Sequence, residues 1–261
     1  MKAKKSLGQN FLKSERALRK IVEVGELESG EVVFEIGPGR GALTEKLLEK
    51  GVEVLAVEKD DELFEFLKEK FEKEISSGQL TLIHDDILNL KPPYFLLPTT
   101  SYKLVANIPY NITGAIFKKF LETKNQPEKM VLLVQKEVAE RVVARDEKES
   151  ILSLSVKAYG QPKYIETVKA GSFTPAPNVD SAILTINDIS KGFFTSFSEE
   201  DFFKILKTSF QSKRKKLSSN LSNLFSKDKV RGVFEKIGLD DNIRAEDIKL
   251  ADWQKISETL K

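Results

Sequence analysis

The chain contains no cysteine and a single histidine among its 261 residues. The first absence excludes disulfides, thiolate catalysis and cysteine-ligated zinc, and it fits a reducing cytosol. The second leaves His84, beside Asp85 and Asp86, without companions at metal-ligand spacing, so it reads as a solvated or packed side chain and no metal is expected. No apolar run approaches the roughly 20 residues of a membrane span, and the basic start, Met1-Lys-Ala-Lys-Lys-Ser-Leu-Gly, is not followed by an apolar stretch of signal-peptide length. Repeats and low-complexity tracts are absent as well. These absences lead to the expectation of a cytoplasmic protein with no membrane partner.

An excess of one charge is also lacking: 42 Lys and Arg stand against 40 Asp and Glu, a formal net of +2. The distribution is less even. Lys2, Lys4, Lys5, Lys13, Arg16, Arg19 and Lys20 gather near the start against only Glu15 and Glu23, and Lys204, Lys207, Lys213, Arg214, Lys215 and Lys216 lie in a stretch with no acid. Concentrated segments of this kind suit phosphate contacts and counterion release, although each taken singly also fits a solvated surface helix.

What is present is an ordinary globular composition, 40% hydrophobic and 31% charged, on a chain long enough for one sizeable core and a smaller second domain. Ser14 can cap a helix carrying Leu18, Ile21 and Val22 and ending at Gly25. Residues 32–36, 52–57, 80–83, 104–106 and 130–134 read as strands. Between them, Leu43, Leu47 and Leu48, then Leu63, Leu67, Phe71 and Ile75, then Ile116, Phe117, Phe120 and Leu121, repeat at helical spacing. The alternation predicts an α/β fold with a Rossmann-like parallel sheet. Residues 165–168 and 182–186 add an antiparallel edge, separated by Ser172-Phe-Thr-Pro-Ala-Pro-Asn178, which is too proline-rich for regular structure. Beyond about residue 190 only helical spacing remains. The expected division is therefore 1–188 as the sheet domain and 189–261 as a small all-α domain.

The sheet's carboxyl edge is where chemistry is expected. Glu35-Ile-Gly37-Pro-Gly39-Arg-Gly41 comes after the first central strand, its glycines letting backbone approach a ligand. The spacing, Gly-x-Gly-x-Gly, departs from that of dinucleotide enzymes and is weak evidence alone. Glu58 ends the next strand, where a carboxylate can accept both ribose hydroxyls of an adenosine. Asp86 comes after the third, where it can accept from an adenine amino group while a backbone group near Ile87 meets the ring edge. A dehydrogenase would share the first two elements and explain neither Asp86 nor the residues at the end of the fourth strand.

Those residues are Asn107-Ile108-Pro109-Tyr110. The N6 lone pair of adenine is delocalised into the ring, so the nitrogen is a poor nucleophile until acceptors on its protons draw it toward tetrahedral geometry. Asn107 offers a side-chain oxygen, the backbone near Ile108-Pro109 a second acceptor, and Tyr110 a face for a base turned out of its helix. A strand running into a proline turn with a buried tyrosine is the plainer reading of the tetrapeptide alone. Together with the glycine turn and two acids, the layout is that of an S-adenosylmethionine site.

Gly8-Gln-Asn-Phe-Leu12, Glu35-Ile-Gly-Pro-Gly-Arg-Gly-Ala-Leu-Thr44, Asn107-Ile-Pro-Tyr-Asn-Ile112, Gln135-Lys-Glu-Val-Ala139 and Phe173-Thr-Pro-Ala-Pro-Asn-Val-Asp-Ser-Ala182, with Glu58 and Asp86, resemble the KsgA family. These are the small-subunit (16S) ribosomal RNA adenine N6,N6-dimethyltransferases. The resemblance runs from about Lys4 to the C-terminus. It implies transfer of two methyl groups to each of two adjacent adenosines near the 3′ end of the RNA, on a 30S-type assembly intermediate, by a monomer. It makes Gln9, Asn10 and Leu12 part of a segment closing over S-adenosylmethionine, with Gly37 and Gly39 under the methionine portion, Glu58 at the ribose and Asp86 at the adenine. It has Asn107 touch cofactor and amine, Tyr110 and Phe173 sandwich the base, and a basic helix at 211–217 help grip RNA. Without the resemblance, Phe173 reads as a plug under the proline-rich loop. Two departures are Asn178, in place of the usual Lys, and Ser212-Lys213, where relatives often have Asn-Arg or Gln-Arg.

The mechanism expected is direct in-line transfer to an amine held by Asn107 and the adjacent carbonyl. Erm enzymes of the large-subunit (23S) RNA share cofactor and tetrapeptide, but tend to carry Asn where this chain has Asp180. A DNA adenine methyltransferase would need a domain for reading duplex edges. A non-catalytic RNA-binding assembly factor would need neither the glycine turn nor Glu58, Asp86 and Asn107.

Overall fold

The structure is a computed structural model that describes residues 3–4, 7–90 and 101–260. Lys2 and Lys5 of the N-terminal basic cluster lie outside the described residues. By contacts the chain forms two compact units, Met1–Ala139 with Gln161–Ile189, and Glu140–Gly160 with Ser190–Lys261.

In the first unit the apolar run Val32–Ile36 forms β2 with every residue buried. Such a run suits a strand covered on both faces. It is flanked in parallel by β3 (Glu53–Glu58) and β5 (Lys103–Asn107), then outward by β4 (Leu80–His84) on one side and β6 (Lys129–Gln135) on the other. β9 (Ser181–Asn187) pairs antiparallel with β6, and β7 (Gln161–Val168) with β9, so the strand order is β4-β3-β2-β5-β6-β9-β7. The helices expected between strands form as α1 (Glu15–Gly25), capped by Ser14, α2 (Ala42–Leu48) and α5 (Thr113–Leu121). Alternation along β2 sends Val33 into a core shared with Ile21, Leu47, Val105, Val131 and Ile183, while Phe34 meets Phe120 edge-on at 5.5 Å on the opposite face. The expected α/β sheet with an antiparallel edge is the fold observed.

Two local differences bear on the site. The stripe Leu63 to Ile75 is not one helix but α3 (Asp61–Lys70) and α4 (Glu72–Ser76), broken at Phe71. Phe71 is buried against Gly41, where a Cβ would stand 2.5 Å from its ring. The proline-rich stretch also holds a two-residue strand, β8 (Phe173–Thr174), paired antiparallel with β1 (Phe11–Leu12).

The second unit takes in residues 140–160, which the sequence places with the sheet; the boundary falls inside α6 (Lys136–Val143). α7 (Ile151–Lys157) opens with a capping box at Ser150, and the flanking residues bind within the unit: the Tyr159 hydroxyl donates to Glu199 at 2.8 Å and the Glu149 amide to the Glu246 carbonyl at 2.8 Å. An amphipathic helix states that one face is covered, not by what. The other helices are α8 (Glu199–Ser209), α9 (Leu217–Leu221), α10 (Lys227–Ile237) and α11 (Leu250–Leu260). The basic helix implied at 211–217 is instead a turn between α8 and α9. Buried Asn220 shapes it, donating to the carbonyls of Ser209 at 2.7 Å and Ser212 at 3.1 Å. Lys213, Arg214, Lys215 and Lys216 are exposed on this turn, with no ion pair to a described residue.

Candidate active site

A cavity of about 700 Å³ opens at the carboxyl ends of β2, β3, β4 and β5, where the strand order reverses about β2. Gln9, Asn10, Leu12, Gly37, Gly39, Glu58, Asp86, Ile87, Asn107, Pro109 and Tyr110 all line it, although they come from five separate stretches of chain. Phe173 does not.

Gly37 and Gly39 both have φ +62, a conformation that side chains with a Cβ rarely adopt. A Cβ at Gly37 would meet nothing within 4 Å, so bare backbone faces open space there; one at Gly39 would press on the Phe11 ring at 3.1 Å. The turn is tied to the next strand by Glu58. Its carboxylate accepts from the Gly39 amide at 3.0 Å and from those of Lys59 and Asp60, both at 2.9 Å. Burial lifts the Glu58 carboxyl above its ordinary range, against the pull of these three donors.

Beneath it, Glu35 is 1% exposed and lines the same cavity. Burial pushes its carboxyl up to about 8; the Thr44 hydroxyl, donating at 2.7 Å, opposes the shift and the Glu58 charge adds to it. Glu35 therefore stays protonated in the folded protein at pH values where the unfolded chain has lost the proton. Stability held by this group is complete below its ordinary value of 4.5 and falls as pH rises toward about 8, by up to about 1.4 kcal/mol per pH unit. Glu35→Gln is expected to flatten the decline in urea midpoint between pH 5.5 and 8, leaving a contribution of the same sign from Glu58. An unchanged slope would show that Glu35 titrates normally.

Asp86 accepts from the Leu88 amide at 2.9 Å and pairs with Lys59 at 2.8 Å. Lys59 holds its carboxyl below the usual range despite partial burial. That pair is half exposed and weak enough for an amino group to replace the lysine. Ile87 is buried beside it.

Asn107 is the last residue of β5, and its amide nitrogen donates to the Asn10 carbonyl at 3.3 Å. The oxygen end of the carboxamide is thereby left for a donor from the cavity. The Pro109 carbonyl is taken by the Ile112 amide at 3.2 Å, whereas that of Ile108 accepts from no described residue. The Tyr110 hydroxyl shares a 2.6 Å hydrogen bond with Ser181 at the start of β9. Burial raises the Tyr110 pKa, so the phenol is neutral.

Phe173, implied as the second face of a base sandwich, is 2% exposed and packs with Leu12, Val168 and Ile183. Successive strand residues point to opposite sides, so it is Thr174 of β8 that faces the cavity. Gln9 lines the wall but turns its amide to protein: Nε2 donates to Asp60 at 3.0 Å and Oε1 accepts from the Lys4 amide at 2.7 Å. Of the N-terminal cations, Lys4, Arg16, Arg19 and Lys20 form ion pairs and Lys13 lines the cavity. His84 stacks on Phe64 at 4.5 Å and pairs with Asp61.

Sequence spacing carries no signal for three participants. Asp60 is recognisable only as a helix cap, Ser181 only as a strand residue, and Arg40 lies over the Phe11 ring at 4.6 Å through a fold-made contact. The donor set as a whole fits an adenosine with an amino-acid tail: bare backbone, a buried carboxylate at a strand end and a second carboxylate beyond it.

The model of the family described as "Ribosomal RNA adenine dimethylase" matches residues 1–261. A "Ribosomal RNA small subunit methyltransferase A" of Dehalococcoides mccartyi is 42% identical over 258 residues, covering 98% of this chain and 88% of that protein. One of the same name from Fusobacterium nucleatum is 40% identical over 264 residues, covering 100% and 97%. Among solved structures, a dimethyladenosine transferase from Plasmodium falciparum aligns with TM-score 0.79 at 25% identity, over 94% of this chain and 95% of that one. The 23S rRNA methyltransferase ErmE aligns with TM-score 0.76 at 24% identity, over 96% and 99%, a likeness of fold.

Proposed function

Since this chain belongs to the ribosomal RNA adenine dimethylase family, we propose that it places two methyl groups on N6 of each of two adjacent adenosines near the 3′ end of small-subunit (16S) RNA. It would act as a cytoplasmic monomer on a 30S-type assembly intermediate. The observation that carries the reading is the hydrogen bonding of Asn107, which lines the cavity: its nitrogen is held by Asn10, while its oxygen and the carbonyl of the next residue, Ile108, accept from no described residue. Two acceptors suit the two protons of an exocyclic amine and draw its nitrogen toward the geometry of a nucleophile.

Gly37, Gly39, Glu58, Asp86 and Ile87 would hold S-adenosylmethionine, which when bound supplies an electrophilic methyl group on a sulfonium. Glu58 would hold the ribose, taking a hydroxyl on the Oε2 lone pair that its three amides leave free. Asp86 would accept from the adenine amino group, releasing Lys59 to solvent. Tyr110, its hydroxyl tied to Ser181, presents a fixed face on which the target base stacks. The exposed turn Lys213, Arg214, Lys215 and Lys216 would meet phosphates. The names of the Dehalococcoides and Fusobacterium relatives, at 40% identity or above, support the small rather than the large subunit as substrate.

The test is incubation with labelled methyl donor and unmethylated small or large subunits, with subsequent mapping of the modified nucleoside. Dimethyladenosine near the 3′ end of the small-subunit RNA is expected. Label in the large subunit would give an Erm-type enzyme, and label in neither would give a binding factor.

A further inference from the structure

We infer that Asp60 is a positioning residue: it latches residues 7–13 across the cavity and through them sets the orientation of Asn107. The inference rests on the cofactor reading for its consequence, but the latch itself stands on contacts within the protein.

Asp60 caps α3, and Oδ1 accepts from the amides of Glu62 at 3.0 Å and Leu63 at 3.2 Å. Capping requires one acceptor oxygen. The side chain also reaches chain far away in sequence: Gln9 Nε2 donates to Oδ2 at 3.0 Å across 51 residues, and Lys4 Nζ bridges both oxygens, 3.0 Å from Oδ1 and 2.9 Å from Oδ2. The Asp60 side chain is 1% exposed. A carboxylate so buried is costly unless its lone pairs are filled, so loss of the Gln9 and Lys4 contacts leaves an uncompensated charge. Burial by itself works against ionisation; the Lys4 bond, the Leu63 amide and Gln9 overcome it and hold the carboxyl below its ordinary value.

From the latch onward, successive residues each support a piece of the site. The Asn10 carbonyl takes the Asn107 amide at 3.3 Å, and the Phe11 ring lies over Gly39 with Arg40 above it. Leu12 pairs with Phe173, and the Lys13 amide closes the run on the Ser172 carbonyl at 2.9 Å. Freed at Asp60, the segment loses the anchor nearest Asn10, and the carboxamide of Asn107 loses the acceptor that decides which end faces the cavity. Because these residues are also cavity wall, apparent affinity for a cavity ligand scales with the fraction of molecules in which they are seated.

A polarity swap tests this. Asp60→Asn keeps the capping oxygen but turns an N–H toward Gln9 and Lys4; Gln9→Glu sets a second carboxylate against Asp60. The double variant restores donor to acceptor with the direction reversed, and Lys4 keeps an acidic partner. Amide hydrogen exchange of residues 7–13 is read in the ligand-free protein, and S-adenosylhomocysteine affinity by calorimetry. Each single variant is expected to exchange at least about 10-fold faster and to bind at least about 10-fold more weakly, the scale of one charged hydrogen bond. The double variant is expected to return to within about 3-fold of wild type. Single variants indistinguishable from wild type in exchange, or a double variant no better than the singles, would overturn the latch. Wild-type protein that bound no S-adenosylhomocysteine, while exchange still tracked the swap, would overturn the cofactor reading and uphold the latch.

Discussion

Asn107→Ala is expected to lower the rate of methyl transfer by at least about 10²-fold, the scale of removing one oriented group that meets charge developing on a reacting atom. Among the described residues the carboxamide makes one hydrogen bond, at 3.3 Å, and Asn107 is only partly buried. Its loss should cost stability no more than about 1 kcal/mol, and the basic turn at 213–216 is untouched, so subunit binding should persist. Single-turnover rates at saturating donor and subunit, with filter binding alongside, separate the two. A variant that methylates at near the wild-type rate would remove Asn107, and with it the two-acceptor reading, from the chemistry.

Glu58→Ala should act on binding and folding together. The carboxylate joins the glycine turn to β3 through three backbone amides, and alanine leaves all three without that acceptor. A buried donor left unmade costs about 1–3 kcal/mol, so the urea midpoint falls, and S-adenosylhomocysteine affinity falls by about 10²-fold or more as turn and ribose acceptor are lost together. Glu58→Gln separates the contributions. Its one oxygen can keep the Lys59 and Asp60 amides while its NH2 group faces the Gly39 amide, so it should recover part of the stability and less of the affinity, because an N–H cannot accept from a ribose hydroxyl. Calorimetry on the two variants decides the matter: near wild-type affinity in both would mean that Glu58 holds the turn and takes no ribose hydroxyl.

Much of this site is legible in the chain. Gly37 and Gly39, Glu58, Asp86 and Asn107 each lie at the end of a recognisable apolar run, and parallel strands place all their carboxyl ends along one edge. Once the runs are strands, the residues at those ends must be neighbours. For Phe173 the resemblance implies a face of the base sandwich, whereas the residues alone suggest a plug under a proline-rich loop, and its 2% exposure agrees with the plug. Pairing with β1 makes it a strand residue instead, and pleating then decides that Thr174, not Phe173, meets the cavity. The 211–217 segment differs in another way: the resemblance implies a basic helix, but Asn220 binds the carbonyls of Ser209 and Ser212 and draws the backbone into a turn.

Local patterns in the amino-acid order thus determined the element sequence, the strand-end chemistry and the family, because period, turn residues and motif spacing act over a few residues at a time. Tertiary structure alone decided which end of the Asn107 carboxamide is free, what holds Tyr110, that residues 140–160 join the helical unit, and that Asp60 reaches back to Lys4 and Gln9. Each of these depends on a partner tens of residues away, and a hydrogen bond across such a separation leaves no periodicity in the chain from which it could be read.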